Sequence, residues 1–249
     1  MISNPHWART ACAWIASFLG LWLLAVAWEE GQRVSTRSLL SLTPLKDALR
    51  GHGELLLTHI SIPHALAAAA LFLLIPLCGR QWNTLLRAMA YVVLAGGGAQ
   101  VWKALLPRPD YGFYPTENSL PSGHMAITAA IAGLIVIVAG GKIWGRVIAS
   151  TLVILVSLSI LLTQTHVLAD ILASLIWSAA ALALCMPHLA PPAPGRFTGA
   201  LMLIITLAMF ILAVPGVSGA RQVLLATVQI VAIILLSIRI FFAHAPTRS

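Results

Sequence analysis

The sequence predicts an all-α, polytopic membrane helix bundle, and three observations lead there. Of 249 residues, 59% are hydrophobic and only 9% are charged, whereas a soluble domain carries about a quarter charged residues. Mean hydropathy is +0.93. Apolar stretches close to the roughly 20 residues needed to cross a bilayer recur along the chain. These features exclude a soluble enzyme, a disordered protein and a secreted disulfide scaffold. Cys12, Cys78 and Cys185 each sit within an apolar run with no CxxC or Cys/His cluster, so they read as small packing residues, with no disulfide or zinc site.

Eight stretches qualify as spans. The first, 11–28, is long for a signal-peptide core and ends at Glu29-Glu30 rather than at small residues, so it reads as a retained helix. Spans near 60–78, 85–106, 122–140, 147–165 and 167–186 follow, and the Pro-rich stretch 188–197 separates them from a final pair at 198–214 and 222–242. The expected organisation is a six-span core over 1–187, a cytoplasmic linker over 188–197, and a two-span hairpin with a short tail over 198–249. That hairpin carries no charge away from its ends, and is expected to pack or to form a homodimer rather than to do chemistry. In the loop before span two, Leu39, Leu42, Leu45 and Leu49 recur at helical spacing, which predicts a short interfacial helix within 35–57.

Net charge is +8, and its distribution sets the orientation. With the N-terminus cytoplasmic, Arg9, Arg80, Arg87, Lys142, Arg146, Arg196, Arg239 and Arg248 lie inside with no acid among them. The other seven basic residues and all seven acids lie outside. The short loops 79–84 and 141–146 choose this arrangement. The basic residues are dispersed, so nucleic-acid binding has no support. Short loops and positive-inside bias fit a bacterial plasma (inner) membrane. Trp7, Trp28, Trp82, Trp102 and Trp144 fall near span ends and read as interfacial anchors. Gly96-Gly97-Gly98, inside span three, reads as a close-packing or bending point.

Ionisable side chains inside membrane segments are costly and mark function by default. Lys103, His124, His166 and Asp170 fall at the outer ends of spans three to six, with Arg108 just beyond span three. On this topology all five share one membrane face. Lys103 and Arg108 place two positive charges at a helix end. Pro121-Ser122-Gly123-His124 then opens a helix whose first N–H groups are free for an anion. Taken alone, each piece is better explained by capping by Ser122 and by snorkelling of Lys103 and Arg108 to head groups. His166 and Asp170, four residues apart, share one helix face, and the carboxylate can fix the imidazole tautomer. His52, His59 and His64 show no ligand spacing, so no metal is expected.

Taken together, Lys103 with Arg108-Pro109, Pro121-Ser122-Gly123-His124 and His166-x-x-x-Asp170 resemble the three motifs of the type 2 phosphatidic acid phosphatase superfamily of membrane lipid phosphatases. The resemblance covers roughly 10–187 and implies a six-helix phosphatase-like core. Two departures stand out. Only Ala104 to Pro107 separate Lys103 from Arg108, against a usual six residues, and Ile160, after Ser159, stands where the family has a third cationic ligand. Arg221, between the last two spans, is a speculative substitute. The resemblance implies His166 as nucleophile, Asp170 as its orienting partner and His124 as general acid. Lys103, Arg108, Ser122 and Gly123 would bind the phosphate, with no cofactor. It implies a membrane lipid phosphate as substrate, at the exterior face of the membrane. Two other readings use the same residues: a lipid phosphotransferase, or a transporter or lipid-binding protein that has lost hydrolysis.

Overall fold

The computed structural model describes residues 6–49, 62–113, 118–189, 191, 193–194, 204–205, 207–209, 211–212 and 219–242. They form a helical bundle with no strand among them. The elements are α1 (His6–Trp22), α2 (Glu29–Leu40), α3 (Thr43–Ala48), α4 (Ile62–Cys78), α5 (Trp82–Val92), α6 (Gly98–Leu105), α7 (Gly123–Val138), α8 (Ile143–Leu162), α9 (Leu168–Cys185) and α10 (Gly219–Phe242). Two π-helical turns, Leu23–Ala27 and Val93–Gly97, extend α1 and join α5 to α6.

Five of the described helical stretches are long and apolar enough to cross a membrane: Trp7–Ala27, Trp82–Leu105, Ile143–Leu162, Leu168–Cys185 and Gly219–Phe242. Ala67–Cys78 and Gly123–Val138 are shorter apolar helices. The protein is therefore a multi-pass membrane bundle. Leu71, Ile75, Leu86, Val93, Ile143, Leu155 and Val223 are exposed on its outside, as a lipid-facing surface requires. Most of the stretch 198–214, much of the linker 188–197, and His52 and His59 lie outside the described residues.

α9 is the central helix, with every residue from Leu168 to Ala183 buried. A helix apolar all round has no polar face to turn outward, so it goes to the middle. α1, α7 and α10 pack against it, and α8 packs between α7 and α10. Small side chains let these backbones approach: Ala126, Ala129, Ala130, Ala132 and Gly133 on α7 meet an α9 that carries Ala173, Ala179, Ala180 and Ala181. Tyr91 of α5 enters this contact. Its hydroxyl donates to the Ala129 carbonyl (2.9 Å) and lies 2.7 Å from Ser178 Oγ. A Cβ on Gly133 would stand 2.0 Å from that hydroxyl.

Both π-helical turns leave carbonyls that α-helical bonding would occupy, and side chains satisfy them. Trp177 Nε1 donates to the Leu94 carbonyl at 2.8 Å, and its ring lies where a Cβ on Gly98 would go, 2.6 Å from Nε1. Gln32 Nε2 donates to the Val26 carbonyl at 2.7 Å. Within the glycine run Gly98 is thus a close-packing point, while a Cβ on Gly96 or Gly97 would meet nothing within 4 Å.

The structure corrects two expectations. Trp102 is no interfacial anchor. It packs edge-on against Trp177 (centroids 5.3 Å apart) and tilted against Phe18 (5.1 Å), partly buried against the main core because the aromatic contacts there offer its ring more than the interface does. Trp7, Trp28, Trp82 and Trp144 are exposed. The loop helix begins at Glu29, ahead of 35, since Glu29 and Glu30 favour a helix N-terminus and Arg33 pairs with both, at 2.8 and 2.5 Å. At the opposite end of the bundle, buried Arg146 donates to the carbonyls of Gly141 and, at 2.8 Å, Phe241, tying α8 to α10.

Gly133→Ala forces the Tyr91 ring out of its pocket. It is expected to cost about 1–3 kcal/mol, read as a lowered thermal midpoint of the detergent-solubilised protein.

Candidate active site

α6, the starts of α7 and α9, and the connections that follow α6 and α8 deliver the sequence-predicted residues to one end of the bundle. On α6, Trp102 is held by Trp177 and Phe18, which fixes the helix rotation and thereby the direction of the neighbouring Lys103. Beyond α6 the chain turns, and Asn118 Nδ2 donates to the carbonyls of Lys103 and Leu106, both at 2.8 Å. This bond closes the loop that carries Arg108. Arg108 is half-buried, and neither terminal nitrogen of its guanidinium has a partner among the described residues. Burial pulls its pKa below the ordinary arginine value, and the neighbouring Asp170 carboxylate opposes that shift. The group stays cationic, with its hydrogen-bonding edge unused.

α7 begins where Ser122 caps it, its Oγ accepting from the Met125 N–H at 3.3 Å. Pro121 and Gly123 flank a helix start whose Gly123 N–H has no intrahelical acceptor. The Ser122 N–H is engaged elsewhere, donating to the Asp170 carbonyl at 3.1 Å. Ser174 Oγ lies within bonding distance of both the Ser122 carbonyl (3.0 Å) and the Asp170 carbonyl (2.9 Å). The N-termini of α7 and α9 are thus stapled together, and their positive dipole ends meet at the same place.

Asp170 is fully buried, and its Oδ2 lies 3.1 Å from His166 Nδ1. A carboxylate on Nδ1 leaves Nε2 as the free nitrogen of His166. Asp170 Oδ1 has no partner among the described residues. His124 is exposed, with its ring centroid 6.5 Å from that of His166 and the planes at 65°. Lys103 and His166 both lie within electrostatic reach of His124.

Two predicted or considered residues are not brought in. Ile160 is fully buried within the main apolar core. Arg221 stands exposed in the first turn of α10, with no hydrogen bond or ion pair to any site residue. Sequence reasoning missed Asn118, Ser174 and Gln32. Each is a buried or half-buried polar residue bonded to backbone, and none stands out in the sequence: Gln32 lies between Gly31 and Arg33 in a polar run.

The multi-pass bundle thus brings together, at adjoining helix N-termini, a His–Asp pair, a second histidine and a guanidinium whose terminal nitrogens have no partner among the described residues. Residues 99–191 match the family model described as the PAP2 superfamily. The family is generally one of phosphatases acting on phosphate esters. No curated protein and no solved structure matches the chain.

Asn118→Ala strands the carbonyls of Lys103 and Leu106. The expected cost is about 1–3 kcal/mol, with faster amide exchange over residues 106–113 than elsewhere in the bundle.

Proposed function

We propose that the protein is an integral membrane phosphatase that hydrolyses a lipid-linked phosphate monoester or diphosphate through a phosphohistidine intermediate. The observation that carries this reading is the meeting of the His166–Asp170 pair, His124 and the Arg108 guanidinium, whose terminal nitrogens have no partner among the described residues, at one end of the bundle.

In the first step His166 Nε2 attacks phosphorus, the bond to the ester oxygen breaks, and His124 protonates the departing oxygen. Asp170 holds the ring and stabilises the imidazolium. In the second step His124 takes a proton from water, the oxygen attacks the phosphohistidine, the P–N bond breaks, and phosphate leaves. The gap between the two rings is on the scale of one phosphoryl group in line between them. Lys103, Arg108 and the Gly123 N–H bind the non-bridging oxygens, and Ser122, while capping α7, retains a hydroxyl proton to donate. Such transfer rests on alignment and charge stabilisation, which these residues supply without a metal ion.

The lipid class follows from where the site lies. Phosphate bound at the ends of apolar helices sits at the membrane interface, and an acyl or prenyl tail stays in the hydrocarbon. The positive-inside preference, with eight basic residues and no acid assigned to the other side from the sequence, supports a site on the exterior face of the plasma (inner) membrane.

Purified protein in mixed micelles is expected to release phosphate from polyprenyl phosphate, polyprenyl diphosphate or phosphatidate, with or without EDTA. His166→Ala abolishes release, and Asp170→Asn lowers kcat by about 10²–10⁴. A folded wild type that releases nothing from any of these lipids overturns the proposal.

A further inference from the structure

α2 lies outside the segment matched by the family model, yet it grips the loop that carries the site's guanidinium. Gln32 is 1% exposed, and its Nε2 donates to two carbonyls at once: Val26 at 2.7 Å and Pro109, adjacent to Arg108, at 2.8 Å. These two bonds use both N–H groups of the amide. A buried polar side chain in an apolar bundle costs stability unless its bonds compensate, so its placement between a π turn and the Arg108 loop needs a reason.

The same loop meets α1 and α2 at two further points. Tyr111 donates through its hydroxyl to the Ala27 carbonyl at 3.1 Å, and the Arg33 guanidinium lies 5.4 Å from the centroid of the Phe113 ring. Both are more exposed and weaker. Gln32 is the buried anchor, and it acts on the residue next to Arg108.

The π turn explains how Gln32 reaches so far. α2 passes so close beneath Leu23–Ala27 that a Cβ on Gly31 would lie 1.7 Å from the Leu24 carbonyl oxygen. Gly31 therefore sets the approach of α2, and the next residue turns to the turn's Val26 carbonyl on one side and to the phosphate loop on the other.

We infer that Gln32 is a positioning residue for the phosphoryl site, holding the Pro109 carbonyl so that the Arg108 guanidinium is preorganised toward the anion. The inference rests on the phosphatase reading and names a control on that same site. It matters more here than where a third arginine shares the load, because Ile160 occupies that position and lies in the apolar core. With fewer cations on the phosphate, the geometry of each carries a larger part of the stabilisation.

The test uses full-length protein in micelles, a chromogenic aryl phosphate as substrate and inorganic phosphate as competitive inhibitor. Gln32→Met keeps the side-chain length and removes both donors. The expected result is about a tenfold rise in the inhibition constant for phosphate, the scale of one lost hydrogen bond to a preorganised loop. The decisive readout is a double-mutant cycle. In an Arg108→Ala background the Gln32→Met change should leave the inhibition constant unmoved, because Gln32 acts only through Arg108.

A purely structural Gln32 predicts the contrary: a lowered thermal midpoint with the same change in both backgrounds, and that outcome overturns the inference. So does a folded Gln32→Met protein with unaltered phosphate affinity. If Gln32→Met does not fold, Gln32→Glu, which keeps the shape and replaces the donors by a carboxylate, is run through the same cycle with the same expectation and the same overturning results. A wild type that turns over no substrate and binds no phosphate instead fails the phosphatase reading itself, and is told apart because the wild-type arm alone reveals it.

Discussion

A carboxylate with no access to water organises the functional end of this bundle. Asp170 stands in the first turn of α9, which is buried along nearly its whole length. Moving a lone carboxylate into such surroundings costs several kcal/mol or more unless the charge is compensated. The compensation is local and comes from several directions: the imidazole of His166, the field of the Arg108 guanidinium, and the N-terminal dipole of α9. The backbone around it is tied down as well. The Asp170 carbonyl receives the Ser122 N–H, and Ser174 bonds across the same joint. The interaction that keeps Asp170 tolerable therefore also orients His166 and fixes the start of α7 beside it.

The rest of the bundle serves to keep that joint rigid. Helix association in lipid lacks a hydrophobic drive between apolar faces and relies on close packing and interhelical hydrogen bonds. Alanines and Gly133 supply the close approach between α7 and α9, and Tyr91 supplies a hydrogen bond across it. The two π-helical turns give the same benefit in another form. Each exposes a carbonyl that a distant side chain collects, Trp177 at Leu94 and Gln32 at Val26, so irregular backbone becomes a fastening point.

The arrangement of cations is asymmetric. Both terminal nitrogens of Arg108 are buried with no partner among the described residues, and Lys103 approaches from α6 beside His124. On α8 the position that would complete the set holds a buried isoleucine, packed in the main core. Apolar packing occupies that side, so in the proposed reading the phosphate rests on the α6–α7 connection and on the helix starts rather than on α8.

Composition and spacing alone determined the membrane bundle and marked out the candidate site residues. Apolar runs of spanning length admit little else than helices, and the motif positions Lys103, Arg108, Ser122, His124, His166 and Asp170 are legible because ionisable groups and helix starts stand out against an apolar background. Local pattern could not reveal what depends on contacts between distant segments. Trp102 reads as an interfacial anchor but packs on Trp177 and Phe18, and Gln32, Asn118 and Ser174 show their purpose only where they reach backbone carbonyls of other elements. The tertiary structure decided those matters because a side chain's role in a bundle is set by which carbonyl or ring stands opposite it, and helix rotation, not sequence period, chooses that neighbour.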